Sequence, residues 1–78
     1  MKVIVLSPQD TLYEGDAKSV KVPGRNGQFE ILSNHAPLVS SLDEGIVMVN
    51  TGSGREEFKI LKGFVEVLRN EVSVLVQQ

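Results

Sequence analysis

The sequence predicts an all-β domain, a flattened sandwich or barrel of short antiparallel strands. Three observations carry this reading. Valine occurs twelve times and alanine twice, and a branched Cβ suits a pleated surface while crowding a helix. Glycines and prolines cut the 78 residues into strand-sized pieces. No piece keeps a 3.6-residue apolar period over the ten or so residues that a helix needs.

The pieces are Lys2–Ser7, Thr11–Glu14, Ala17–Val22, Gln28–Leu32, Leu38–Leu42, Ile46–Asn50, Glu56–Leu61, Phe64–Arg69 and Glu71–Val76. Lys2–Leu6 is apolar at alternate and intervening positions, which suggests a strand buried on both faces. Val20 and Val22 share a face, with Ser19 and Lys21 opposite. Pro23 cannot donate to a ladder and marks a strand end or an edge. Gly24-Arg25-Asn26-Gly27 contains Asn-Gly, a strong two-residue hairpin signal because both residues tolerate φ > 0. Pro37 marks the next boundary and holds Ala36 extended. Asp43-Glu44-Gly45 reads as a turn, and Thr51-Gly52-Ser53-Gly54 as a looser hairpin tip. Phe64, Glu66 and Leu68 then oppose Val65, Val67 and Arg69. Arg69-Asn70-Glu71 is a tight reversal with Asn70 in the left-handed region. Val72, Val74 and Val76 share the last apolar face. Nine short strands in so small a chain must bury their faces against one another, which a sandwich or flattened barrel achieves.

Size and charge narrow the function. Residues 1–78 make a single domain, without repeats, low-complexity tracts or linkers. A domain of this size buries only about 60–70% of its unfolded surface, leaving little core to carry an elaborate active site. There is no cysteine, hence no disulfide, thiolate nucleophile or Cys-based zinc site, and an unbridged small scaffold fits a reducing interior. Ten acidic and eight basic residues are mixed along the chain. With Tyr13, Phe29, Phe58 and Phe64 all outside basic runs, nucleic-acid binding lacks its basic face and its stacking platforms. The apolar start, Val3–Leu6, is too short for a signal peptide or a membrane span.

Candidate chemistry is sparse. Ser33, Ser40 or Ser41 with His35 and Asp43 supply the residue types of a nucleophilic triad, but a triad requires an oriented base and an oxyanion site. His35 beside Ala36-Pro37 reads more simply as a loop histidine. Glu56 and Glu57 are adjacent in a strand, point to opposite faces and cannot grip one ion or one glycosidic bond. One histidine and no cysteine leave a transition-metal site to carboxylates alone. Gly24-x-x-Gly27 joins strands rather than the helices of an RNA-binding GxxG loop. No metal or cofactor is expected. The residues describe a non-catalytic β module. Within it, the mostly uncharged stretch Ile31–Val39 fits core closure and a protein-binding patch equally well.

Val20-Lys21-Val22-Pro23-Gly24, Gly27-x-Phe29, Ile31-Leu32 and His35-Ala36-Pro37-Leu38, in that order, resemble the epsilon subunit of the F-type ATP synthase, specifically its N-terminal β domain. Tyr13-Glu14-Gly15, Gly45 before a strand, Glu57-Phe58, Gly63 and Val72–Val76 extend the pattern over nearly the whole chain. The resemblance implies about ten short antiparallel strands in two sheets. It also implies a non-catalytic role in the rotating central stalk, docked to the gamma subunit and seated on the c-subunit ring, with the alpha/beta head reached indirectly. His35, Ala36, Pro37, Leu38 and Ser40 map to the region implied to face gamma. Arg25, Asn26, Gly27, Gln28, Phe29 and Glu30 map to the ring-contacting hairpin.

Two departures qualify that mapping. Family members often read Gly-Glu-Leu-Gly where this chain has Gly27-Gln28-Phe29-Glu30, so Gln28 stands at the acidic contact position and Glu30 lies two residues on. Many members also continue into a C-terminal helical hairpin that can inhibit hydrolysis. This sequence stops at Gln78, so the helical domain is expected to be absent and its regulatory role is not carried over. The implied location is peripheral, on the cytoplasmic face of a bacterial inner membrane, without insertion. The competing reading, a free-standing sandwich binding a small ligand or carbohydrate, requires a concave site lined with aromatic residues.

Overall fold

The computed structural model describes residues 1–78 and contains nine strands. They are β1 (Lys2–Leu6), β2 (Thr11–Asp16), β3 (Ser19–Gly24), β4 (Gly27–Leu32), β5 (Leu38–Leu42), β6 (Gly45–Thr51), β7 (Gly54–Ile60), β8 (Lys62–Leu68) and β9 (Glu71–Gln77). Each piece read from the sequence is one of these strands, with ends moved by a few residues. The strand count is therefore nine, against the ten implied by the resemblance.

The strands form two layers. One has the order β2-β1-β9-β8-β5, and the other places β3 between β4 and β6 with β7 outermost. A single pairing, Gly24 with Leu42, joins the layers into a nearly closed sheet. Arg25 N donates to Ser41 O (3.2 Å) and Asp43 N to Pro23 O (2.9 Å), fastening the same corner. All pairings are antiparallel except one. β1 runs parallel to β9, with Val3 beside Val72 and Val5 beside Val74. This is a correction to the all-antiparallel expectation. Two strands from opposite ends of the chain meet at the centre of the larger layer, and no local turn records their direction.

The core lies between the layers and is made mostly of valine. Val3, Val5, Val20, Val22, Ile31, Val47, Val49, Val65 and Val74 are fully buried. Each contributes on the order of 1.5–3 kcal/mol relative to exposure. Alternation fixes the register, because a one-residue slip would turn these side chains out to solvent. In β1 only Val3 and Val5 are buried, while Ile4 and Leu6 stay half-exposed on the outer face. The expectation of burial on both faces is corrected accordingly.

The turns follow their residue chemistry with one exception. Arg69 (φ 53°) and Asn70 (φ 61°) both occupy the left-handed region, as a two-residue type I′ hairpin requires. At Gly24–Gly27 only Gly27 takes a positive φ (120°), and Asn26 does not. Pairing of Gly24 with Gly27 makes Arg25 and Asn26 the loop residues.

Candidate functional site

The strand directions sort the loops to two ends of the sandwich. One end carries the Arg25-Asn26 hairpin, the turn at Ser7–Asp10 and the turn at Asp43-Glu44. The other carries the segment Ser33–Pro37, the Gly52-Ser53 tip and the Arg69-Asn70 turn. The two groups of residues singled out from the sequence thus stand at opposite ends of a body measuring 26 × 24 × 18 Å.

At the second end the segment after β4 crosses from one layer to the other. Asn34 adopts φ 64°, a conformation that asparagine tolerates better than most residues. Its backbone N–H donates to Asn70 Oδ1 at 2.8 Å. His35 N donates to Leu32 O at 3.2 Å, and His35 Nδ1 lies 2.7 Å from Ala36 O. A proton on Nδ1 makes the ring a donor into its own loop. Ala36 and Pro37 are exposed and His35 is half-buried.

Leu38 and Ser40 belong elsewhere. They pair with Val67 and Val65, whose side chains are buried, so both point between the layers. Leu38 is half-buried against the core, and Ser40 Oγ donates to Ser41 O at 3.2 Å. The structure therefore does not bring all five predicted residues onto one surface. The exposed apolar residue next to this segment in β5 is Val39, 71% exposed and on the outer face of its layer. Strand parity carried this signal, since Val39 alternates with Leu38 and Ser40.

At the hairpin end Arg25, Asn26, Gly27, Gln28 and Glu30 are exposed. Phe29 turns inward opposite Val22 and packs on the core. Its ring lies over Gly24, where a Cβ would stand 2.7 Å from a ring carbon, so only glycine fits. Gln28 and Glu30 share the outward face, with Glu30 opposite Lys21. Arg25 Nε stands 3.8 Å from Asp43 Oδ1, with both side chains more than half exposed. Such a pair is worth roughly 0–1 kcal/mol.

These positions bear on chemistry. Asp43 pairs with Arg25 at one end while His35 sits in the loop at the other, so no serine, His35 and Asp43 converge. No three of the His, Asp and Glu side chains form a group able to hold a metal ion. The largest concavity, about 590 Å³, has Phe64 as its single aromatic side chain, not the aromatic lining a carbohydrate module uses. What the fold presents is a small two-layered β module with exposed loop groups at both ends.

Comparison with known proteins defines which module it is. The family model described as "ATP synthase, Delta/Epsilon chain, beta-sandwich domain" matches residues 1–78. The ATP synthase epsilon chain of Leptospira interrogans is 44% identical over 75 residues, covering 96% of this chain and 59% of that one. The epsilon chain of Nostoc punctiforme is 40% identical over 78 residues, covering 97% and 57%. Among solved structures, a chain of the Euglena gracilis mitochondrial ATP synthase (OSCP/F1/c-ring) superposes with a TM-score of 0.89 at 18% identity, covering 97% of this chain and 49% of that one. A chain of the Tetrahymena thermophila mitochondrial ATP synthase (central stalk/c-ring) gives 0.86 at 14%, covering 99% and 63%. The chain belongs to the ATP synthase delta/epsilon family and is its β-sandwich domain. It spans somewhat over half the length of the curated relatives it matches.

Proposed function

We propose that this chain is a non-catalytic subunit of a membrane-associated F-type ATP synthase. It works in the rotating central stalk, docking the gamma subunit onto the c-ring and so coupling proton flow to ATP synthesis. The observation that carries the reading is the separation of two exposed surfaces on one rigid sandwich of the epsilon family. The loop end, with His35, Ala36 and Pro37 and the neighbouring Val39, serves gamma. The hairpin end, with Arg25, Asn26, Gln28 and Glu30, meets the polar loops of the ring, with Glu30 supplying the carboxylate that Gln28 lacks. A body held at both ends transmits torque, which demands rigidity, and the valine-packed core and fastened corner supply it.

The chain forms no helix long and apolar enough to cross a membrane. Its place is peripheral, on the cytoplasmic face of a bacterial inner membrane, reached through its partners and not by insertion. The test is a pull-down of the tagged chain from detergent-solubilised membranes of its own source. Recovery of gamma and the c-subunit together supports the reading, and recovery of neither overturns it.

A further inference from the structure

The chain has four asparagines, Asn26, Asn34, Asn50 and Asn70, and Asn26 alone is followed by glycine. Besides its turn chemistry, an Asn-Gly step carries a reactivity. The backbone nitrogen after an asparagine can attack the side-chain amide, and glycine, lacking a Cβ, hinders that nitrogen least. The other three sites are held against this attack. Asn50 Nδ2 donates to Ser19 Oγ at 2.8 Å, and Asn50 and Thr51 are laddered to Arg55 and Gly54. Asn70 Oδ1 accepts from Asn34 N at 2.8 Å, and Glu71 after it is paired with Leu68. The nitrogen following Asn34 belongs to His35 and donates to Leu32 O at 3.2 Å.

Asn26 differs on each count. No hydrogen bond engages its side-chain amide, and Arg25, Asn26, Gly27 and Gln28 are all exposed. Chain neighbours aside, no heavy atom lies within 4 Å of the place a Cβ would occupy on Gly27, which sits at φ 120°. Gly24 and Gly27 form the last pair of the β3–β4 ladder, and β4 is an edge strand held by β3 alone. Pairs at such tips open at little free-energy cost, which frees the Gly27 nitrogen to turn toward Asn26 Cγ.

We propose that Asn26-Gly27 is a self-modification site, at which the folded chain converts a neutral side chain of the hairpin tip into an acidic one. The Gly27 backbone nitrogen gives up its proton to a solvent base and forms a bond to Asn26 Cγ. The Cγ–Nδ2 bond breaks, and Nδ2 takes a proton from solvent and leaves as ammonia. Water then opens the five-membered imide. Attack at Cγ restores the backbone and leaves aspartate, whereas attack at the backbone carbonyl routes the chain through the side chain as isoaspartate. One water is consumed and one ammonia released, with no oxidant or cofactor. Either product adds a negative charge beside Arg25, in a chain of net charge −2. The isoaspartyl form also lengthens the loop that closes the Gly24–Gly27 pair. The reaction belongs to the chain alone and does not depend on its docking.

The test is incubation of the purified, folded chain at mildly alkaline pH, followed by ion exchange and by peptide mapping with mass spectrometry. Digestion at low pH keeps the work-up from adding conversion. Asn26 is expected to gain the mass of an amide turned acid and to yield both aspartyl and isoaspartyl peptides. Asn34, Asn50 and Asn70 should convert at least about tenfold more slowly, the ratio set by a barrier difference of about 1.4 kcal/mol. Asn26→Gln would need a six-membered ring and should lose the acidic species, with circular dichroism confirming that it folds. Conversion of Asn34 or Asn70 as fast as Asn26 overturns the assignment, and so does an acidic species that persists in Asn26→Gln. Conversion of Asn26 only after unfolding in urea shows that the folded hairpin is not the reacting form, and the proposal falls.

Discussion

The backbone N–H of Asn34 donates to the side-chain oxygen of Asn70 at 2.8 Å, linking residues 36 apart in sequence. Both residues sit at positive φ, so the crossing segment and the β8–β9 turn hold each other in conformations that few side chains adopt. The bond fixes where Ala36 and Pro37 stand relative to the larger layer.

Removing that acceptor without straining the turn isolates its contribution. Asn70→Gly keeps the left-handed conformation and loses the bond. Its unfolding free energy should fall by about 0.5–1.5 kcal/mol, and the Asn34 amide should exchange with solvent faster than in the wild type. Asn70→Ala adds strain at φ 61° and should cost about 1 kcal/mol more. Unchanged exchange at Asn34 in Asn70→Gly would contradict the role of the bond.

Leu38 and Val39 separate stability from docking. Leu38 points inward and packs on the core, so Leu38→Ala should lower stability by about 1–3 kcal/mol in urea unfolding. Val39 is 71% exposed. Val39→Lys, which faces Glu66 across the strand pair, should unfold within about 0.5 kcal/mol of wild type yet bind gamma more weakly. The reverse pattern would show that the parity assigned to β5 is wrong.

Gly63 is a packing requirement of the strand that carries Phe64. A Cβ there would run into the carbonyl oxygen of Leu75 on β9. Gly63→Ala must push β8 and β9 apart, at a cost of about 1–3 kcal/mol, and should lower the thermal midpoint by several degrees. A midpoint equal to wild type would mean that the two strands are not so closely apposed.

The hairpin end yields a prediction of opposite character. Because the Arg25–Asp43 pair is exposed, Asp43→Asn should change stability by less than about 0.5 kcal/mol. Arg25→Glu and Glu30→Lys should likewise leave the fold intact. In reconstituted membranes these two should lower proton pumping per ATP hydrolysed while gamma still co-purifies. Equal pumping in both would remove the ring contact from this hairpin.

Much of this architecture was legible in the sequence, and the exceptions have physical causes. Alternating valines such as Val20/Val22 and Val72/Val74/Val76 announce faces directly, and Asn34, Asn70 and Gly27 mark turns because left-handed backbone is selective. The parallel pairing of β1 with β9 was not legible, since it joins residues about seventy apart with no connecting turn to report direction. The surfaces were legible in part. Parity alone sets Phe64 with Glu66 and Leu75 with Ser73, apolar residues on polar faces, yet such residues stand out as uncovered only once the layers are assembled. The same parity turns Leu38 and Ser40 inward, which a motif read as a continuous string conceals.

Site-specific cross-linking reads out whether one body is held by different partners at its two ends. The chain has no cysteine, so single variants Val39→Cys and Gln28→Cys each carry one label site for a photoactivatable maleimide in assembled membranes. Val39→Cys is expected to yield an adduct with gamma and Gln28→Cys an adduct with the c-subunit, each absent from the other. Adducts of both variants with the same partner, or with neither, would contradict it.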